Sequence, residues 1–192
     1  NYKPIINNMD KAVFLDRDGV LNKDNGYTYM LSDLRVLDGV VEGLRKISSL
    51  GYKLIIVSNQ SGIARGFFTL DQMHIFMQGL INHLYKHDIE ILDYYYCPHH
   101  EDGNIDEFTK SCSCRKPEPG MIFQAQKEHK LDLSQSILIG DKESDILAGQ
   151  KANLLINILI GTADQKICSI ASYYSSNLVD AANQIKNFTL RQ

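Results

Sequence analysis

No apolar run in this sequence reaches the roughly 18 residues that a membrane-spanning helix requires, and no charged segment leads into an apolar one as a secretory leader would. The expectation is a cytoplasmic protein with no membrane contact. No block of like charge forms a tail, and Lys plus Arg (20) is outnumbered by Asp plus Glu (23), for a formal charge of -3 and a pI near 6.1. That balance leaves no electrostatic footprint for nucleic acid. Internal repeats, low-complexity tracts and linkers are lacking too. Cysteine is scarce, at 4 residues. In a cytosolic chain so few thiols read as metal ligands or small buried residues rather than disulfides.

What is present suffices for a core. With 192 residues, 44% hydrophobic and 22% charged, the expectation is a single compact domain over 1–192. Apolar runs rich in β-branched or aromatic residues predict strands at Ala12 to Asp16, Lys53 to Ser58, Ile91 to Tyr96, Ser136 to Asp141 and Leu154 to Ile160. Most are continuous rather than alternating, as in a parallel sheet buried on both faces. Between them, Val40, Leu44 and Ile47 form one helical stripe and Met73, Phe76, Met77, Leu80 and Leu84 another, the second opened by a Thr69/Gln72 capping box. Pro119 reads as a first-turn proline of a helix over Gly120 to His129, and Ser144 with Asp145 opens a helix through Gln150. The alternation predicts an α/β fold with a doubly wound, Rossmann-like parallel sheet. The long irregular stretch from Pro98 to Gly120 needs a reason of its own.

The first predicted strand runs into Asp16-Arg17-Asp18-Gly19. In an open α/β sheet ligands bind at the carboxyl ends of strands, where Asp16 and Asp18 could serve as nucleophile and proton carrier. An ordinary strand entering a turn reads the same way. The second strand ends in Ser58-Asn59-Gln60-Ser61-Gly62, able to wrap an anion or to form a plain polar turn. Cys114-Arg115-Lys116-Pro117 puts two cations ahead of a helix. Lys116 suits a phosphoryl oxygen and Arg115 a second phosphate, and a solvated basic pair is the bland alternative. The fourth predicted strand ends in Asp141-Lys142-Glu143-Ser144-Asp145. Magnesium favours few carboxylates, waters and phosphate oxygens, which Asp16, Asp141, a backbone carbonyl and a substrate would supply.

Cys97-Pro98-His99 and Cys112-Ser113-Cys114 place three thiols and an imidazole on the long irregular stretch. Four such ligands match a closed zinc site, with incidental cysteines as the alternative. A zinc loop over 97–114 would order a segment poor in core residues and fix Arg115 and Lys116 beside the strand ends. Its role is expected to be structural. Cys168 lies outside this set and reads as a small apolar residue.

The four motifs in this order, over roughly Lys11 to Ile160, resemble the haloacid dehalogenase superfamily of phosphatases. The resemblance implies that Asp16 attacks phosphorus, that Asp18 protonates the leaving oxygen and then activates water, and that Ser58 and Lys116 hold the phosphoryl group. It further implies magnesium at Asp16, the backbone carbonyl of Asp18 and Asp141, with Asp145 as an outer partner. No large insertion offers a cap domain, so the zinc loop and the Asn22 to Tyr29 turn would do what closing there is, over a fairly open site.

Within the superfamily, Asp16-Arg17-Asp18-Gly19, the zinc loop and Cys114-Arg115-Lys116-Pro117 resemble the heptose 1,7-bisphosphate phosphatases, whose near relatives are the histidinol-phosphate phosphatases. Ser61 within Asn59-Gln60-Ser61-Gly62-Ile63-Ala64-Arg65-Gly66, where the histidinol enzymes have Asp, and the longer gap between the zinc-ligand pairs favour the heptose branch. That resemblance implies a small sugar bisphosphate substrate losing its C7 phosphate and keeping the 1-phosphate for nucleotide activation. It places Asp24, Asn25, Gly26 and Tyr27 with Ser58, Asn59, Gln60 and Ser61 along the sugar, Lys142 near phosphate and Arg115 on the second phosphate. Val20 and Ser58 stand where Thr is frequent. Histidinol phosphate remains the enzymatic alternative, and a non-catalytic zinc-stabilised binder of phosphorylated ligands the alternative of another class. No heptad seam asks for a partner chain, so a monomer is expected.

Overall fold

The computed structural model describes residues 9–161 and 169–191. The apolar runs form β1 (Ala12–Leu15), β2 (Lys53–Asn59), β3 (Asp93–Cys97), β4 (Ile137–Gly140) and β5 (Ile156–Ile160), and a short β6 (Tyr173–Ser175) extends the sheet. All neighbours are parallel in the order β3-β2-β1-β4-β5-β6. Phe14 lies opposite Ile55 on one side and Leu138 on the other.

Among the described residues, five α-helices cover the two faces: α1 (Val40–Ser49), α2 (Leu70–Tyr85), α3 (Gly120–His129), α4 (Glu143–Lys151) and α5 (Leu178–Thr189). Because side chains alternate along a strand, Val13, Leu15, Leu54 and Ile56 enter one core with Leu44, Met77 and Ile185 of α1, α2 and α5. Ala12, Phe14, Ile55 and Val57 enter the other with Met121, Ala125 and Ala148 of α3 and α4. Both faces are therefore apolar, which is why the strands read as continuous hydrophobic runs. Each fully buried large side chain, such as Phe14, contributes about 1.5–3 kcal/mol.

The Thr69/Gln72 capping box opens α2 as expected, with Gln72 N donating to Thr69 Oγ1 at 3.2 Å and Thr69 N to Gln72 Oε1 at 2.9 Å. Pro119 sits at the N-cap of α3 rather than inside it, and α4 starts at Glu143, one residue before Ser144. β6 and α5 go beyond the sequence expectation. At the α1–α5 contact Gly43 lies so close to Leu178 that a Cβ would stand 2.7 Å from its carbonyl carbon. Val20 is buried in the first core, where an apolar side chain packs. Cys168 lies outside the described residues.

The chain winds from β1 to one side of the sheet through β2 and β3, then returns to β4 on the other. Loops leaving β1 and β4 therefore diverge and open a crevice at their carboxyl ends. After Asp18 the chain turns tightly, Leu21 N and Asn22 N both donating to Arg17 O at 2.9 and 3.1 Å. It then makes a flap closed by the antiparallel bridge Asn22–Val36 and the bond from Lys23 N to Arg35 O at 2.9 Å. Asp24 to Tyr27 lie in this flap. Among the described residues only this flap separates β1 from α1, and only a turn separates β2 from α2, so no cap domain is inserted.

Candidate active site

Asp16 follows β1 directly, its N–H still donating to Ile139 O of β4 at 3.0 Å. Its side chain is buried, and Lys116 Nζ reaches Asp16 Oδ1 at 2.8 Å. The same buried ammonium donates to Asp145 Oδ1 at 2.5 Å and to the carbonyl oxygen of Val57 at 2.8 Å. Three donors meet three acceptors, as a buried ammonium requires. Burial opposes the charge on Lys116, yet Asp145 and Asp16 hold its pKa well above the ordinary lysine range. Asp145 also accepts from Lys142 N at 3.0 Å. Asn59 clamps the backbone of Lys116, accepting from its N–H and donating to its carbonyl, each at 3.0 Å.

Ligand oxygens of Asp16, Asp141 and Asp145 lie within 4.8 Å of one another. Burial raises the pKa of Asp16, the Asp145 charge adds to the effect and Lys116 opposes it. Burial and the Asp16 charge push Asp141 up to about 7. Three carboxylates thus surround one fully engaged ammonium, with Lys142 shared between them and Asp24, an excess of negative charge that a divalent cation would balance. Asp145 has both oxygens committed, whereas buried Asp141 Oδ1 has no hydrogen-bond partner. Gly19, at φ 84°, packs so tightly on Asp141 that a Cβ would collide with that carboxylate. The turn backbone is thereby brought against Asp141, and the oxygen-only donor set of Asp16, Asp141 and the Asp18 carbonyl fits magnesium.

Asp18 has both oxygens engaged. Arg17 Nη2 donates to Oδ2 at 2.7 Å and to Oδ1 at 2.9 Å, Asn22 Nδ2 to Oδ1 at 2.9 Å, and Gln60 Nε2 to Oδ2 at 3.2 Å. Arg17 is completely buried, its guanidinium 4.6 Å from the Phe76 ring centroid. It also donates to the carbonyl oxygen of Thr28 in the flap at 2.8 Å. Gln60 Nε2 donates to Ser58 Oγ at 2.7 Å as well, so one amide joins Ser58 to Asp18. The partnership of Arg17 with Asp18 goes beyond the sequence expectation, which gave Arg17 no role. Its sequence signal is an arginine between the two aspartates.

Above these groups lies a cleft of about 350 Å³ lined by Asp18, Asp24, Gly26, Tyr27, Asn59, Gln60, Ser61, Arg115, Lys116 and Lys142, among others. Asn25 and Ser58, expected along the sugar, are not part of this lining. Asn25 N donates to Thr28 Oγ1 at 3.1 Å and holds the flap tip, and Ser58 is buried behind Gln60. Lys142 Nζ and Asp24 Oδ2 meet at 3.3 Å. Burial works against the Lys142 charge, but Asp141, Asp16 and Asp24 keep its pKa raised. Arg115 Nη1 donates to His99 O at 3.4 Å, tying the cleft to the thiol cluster.

That cluster joins Cys97, at the end of β3, to His99, Cys112 and Cys114, with ligand atoms within 4.8 Å of one another. Cys97 and Cys112 sulfurs lie 3.5 Å apart, Cys97 and Cys114 3.0 Å, and His99 Nδ1 is 3.3 Å from Cys114 Sγ. The three cysteines are free thiols. Its contact with Cys97, then those with Cys112 and His99, lowers Cys114 to about 5 against the opposing effect of burial, while the contact with Cys114 raises Cys97. Four ligands at the corners of a small tetrahedron fit zinc, whose sulfur ligands stand at about 2.3 Å from the metal.

Acidic groups set about one ammonium at the switch point of a doubly wound sheet, with no cap over them, define a haloacid-dehalogenase-like hydrolase. Residues 113–172 match the HAD-hydrolase-like family model. The D-glycero-beta-D-manno-heptose-1,7-bisphosphate 7-phosphatase of Haemophilus influenzae is 42% identical over 181 residues, covering 93% of this chain and 98% of that protein. The D-glycero-alpha-D-manno-heptose-1,7-bisphosphate 7-phosphatase of Photorhabdus laumondii is 44% identical over 155 residues, 81% of this chain and 85% of that one. The fold matches the crystal structure of D,D-heptose 1,7-bisphosphate phosphatase from B. bronchiseptica complexed with magnesium and phosphate, with TM-score 0.80, 24% identity and coverage of 93% and 99%. The chain belongs to the heptose-1,7-bisphosphate 7-phosphatase family of HAD-like hydrolases, and it is a phosphatase.

Proposed function

We propose that this phosphatase removes the C7 phosphate of D-glycero-D-manno-heptose 1,7-bisphosphate through a phosphoaspartate at Asp16, and that the product keeps its 1-phosphate for nucleotide activation. The observation that carries the reading is the Asp16 carboxylate paired at 2.8 Å with buried Lys116 beneath the cleft, in a chain 42% identical to a named heptose bisphosphatase over 98% of its length.

In the first step an Asp16 oxygen bonds to phosphorus as the bond from phosphorus to the C7 oxygen breaks, and Asp18 gives its proton to the departing oxygen. For this Asp18 must arrive protonated, exchanging its bonds from Arg17 for one to the sugar oxygen. In the second step Asp18 takes a proton from water, whose oxygen bonds to phosphorus as the acyl-phosphate bond breaks. Inorganic phosphate leaves and the Asp16 carboxylate is restored. Lys116 exchanges its Asp16 bond for one to an equatorial phosphoryl oxygen, and Ser58, covered by Gln60, turns its hydroxyl to a second. Magnesium, held by Asp16, Asp141 and the Asp18 carbonyl, would supply the remaining positive charge. Asp145 keeps Lys116 aimed, and Arg115 takes the second phosphate. Zinc at Cys97, His99, Cys112 and Cys114 would brace the loop that carries Arg115 and Lys116.

The test is initial-rate phosphate release from both anomers of the heptose bisphosphate, fructose 1,6-bisphosphate and histidinol phosphate, with and without magnesium. The expected order puts a heptose anomer first by at least about tenfold in kcat/KM, which is about 1.4 kcal/mol of transition-state discrimination. Preference for histidinol phosphate, or equal rates without magnesium, overturns it. Both anomers are needed because relatives named for each are similarly close, at 42% and 44% identity.

A further inference from the structure

Tyr27 is held in an unusual state. Its backbone is left-handed at φ 52°, a conformation that non-glycine residues adopt only where their surroundings enforce it. Its ring lines the cleft yet is 44% exposed. Within the flap, hydrogen bonds fix the backbone on either side, from Gly26 N to Asp24 Oδ1 at 2.9 Å and from Arg17 to Thr28 O at 2.8 Å. The ring's own aromatic contact is with Phe67, centroids 4.6 Å apart at 58°.

Phe67 belongs to a different wall, the turn between β2 and α2, and is itself 51% exposed. It does not line the cleft. Phe67 also borders a groove with Ile105 and Phe108, and paired with half-exposed Tyr27 it makes a continuous aromatic surface at the edge of the cleft rather than a single scattered ring. The turn that carries it is firmly built: Asn104 N and Ile105 N both donate to Ala64 O, at 2.7 and 2.9 Å, and Asn104 Nδ2 to Arg65 O at 3.2 Å. The Phe67 ring is thus offered to the flap from a rigid base.

We propose that Phe67 is a positioning residue that acts through Tyr27. It closes an aromatic strap between flap and turn and holds the Tyr27 ring against the apolar C–H face of the bound sugar. Among the described residues no cap domain is inserted, and the Lys142–Asp24 pair at 3.3 Å ties the flap to the α4 side as this strap ties it to the turn. The proposal deepens the sugar-bisphosphatase reading and rests on it. Phe67 touches no reacting group, so it governs how well the sugar is held rather than how fast phosphorus is transferred.

The test is a double-mutant cycle in the full-length enzyme with Phe67→Ala, Tyr27→Ala and both together, read as KM and kcat on the bisphosphate that the wild type turns over best. The inhibition constant of inorganic phosphate serves as a probe of the phosphoryl pocket alone. Phe67→Ala is expected to raise KM about fivefold with kcat within about twofold, the size of one aromatic contact. The phosphate inhibition constant should stay unchanged, Phe67→Tyr should restore KM, and the double variant should be no worse than Tyr27→Ala. Phe67→Leu, which keeps apolar bulk without the ring, is expected to behave as the alanine variant and covers any failure of that variant to fold. An unchanged KM in Phe67→Ala and Phe67→Leu, or additive effects in the double variant, overturns the strap. A wild type that prefers a substrate without a sugar overturns the substrate reading, and with it the stacking partner assigned to Tyr27.

Discussion

At the thiol cluster the four donors come from two short segments, 97–99 and 112–114. At the carboxylate cluster the groups come from residues 16, 116, 141 and 145, on segments that follow β1, precede α3 and run from β4 into α4. Ligand atoms in each lie within 4.8 Å of one another. The thiol cluster contains one imidazole and no permanent cation, whereas the carboxylate cluster is already partly compensated by Lys116 at 2.8 and 2.5 Å. The first has four matched ligands that can close around an ion. The second has a committed acid, Asp145, and an acid with an orphaned oxygen, Asp141. A site built to hold an ion saturates its ligands, and a site built to work on a substrate leaves a position open. On the function proposed above, bracing falls to the first cluster and chemistry to the second.

The sharpest break between them is Asp16→Asn. An amide cannot form the acyl phosphate, so kcat is expected to fall by at least about 10⁴-fold, or about 5.5 kcal/mol. The thermal midpoint should not fall much, because like-charge repulsion in the cluster is relieved. A variant with more than about a tenth of wild-type activity would return Asp16 to the role of a structural acid. Next comes Asp145→Ala, which strips the buried Lys116 ammonium of one of its two carboxylates. Breaking a buried pair costs about 3–5 kcal/mol, readable by denaturant titration, with activity falling as Lys116 loses its aim. Full stability in that variant would show that Lys116 does not depend on Asp145.

At the thiol cluster, Cys112→Ser or chelation should abolish zinc, otherwise expected at about one ion per chain, and lower the thermal midpoint by several degrees. With magnesium restored, kcat should fall less than about tenfold. Stoichiometric zinc lost together with all activity at an unchanged midpoint would reverse the assignment. The smallest effect expected is that of Asn59→Ala, which removes two 3.0 Å bonds to the Lys116 backbone. A loss of about 1–3 kcal/mol in stability and a modest fall in kcat with KM nearly unchanged would mark Asn59 as a clamp on Lys116. A rise in KM alone would make it a sugar contact instead.

The same contrast explains what could be read from the sequence. Cys97-Pro98-His99 and Cys112-Ser113-Cys114 announce a metal cluster because their ligands are local, and short spacing survives in one dimension. The carboxylate residues could be named from motifs at strand ends, since burial on both sheet faces makes β1, β2 and β4 plain in the apolar pattern. Their mutual arrangement could not be named. Nothing in the spacing says that Lys116 bridges Asp16 and Asp145, or that Asn59 grips the Lys116 backbone, because both depend on how β1, β2 and β4 align. Arg17 is the instructive case, a charged residue with 0% exposure at a position where alternation would point away from the acids. The turn after β1 brings it back onto Asp18. β6 has three residues and one partner strand, too few for periodicity to register. The helix α5 carries a legible signal, Asn177 accepting from Asp180 N at 3.0 Å ahead of buried Leu178, Ala181, Ala182 and Ile185.

Which of the two strand-end aspartates bonds to phosphorus is decided most directly by trapping. Borohydride quenching during turnover of the preferred bisphosphate reduces an acyl phosphate to the alcohol, and peptide mass spectrometry then locates the residue that carried it. Homoserine at position 16, dependent on substrate and absent from Asp18, is the predicted result. Modification at Asp18, or none at either position while phosphate is released at the full rate, would contradict the account.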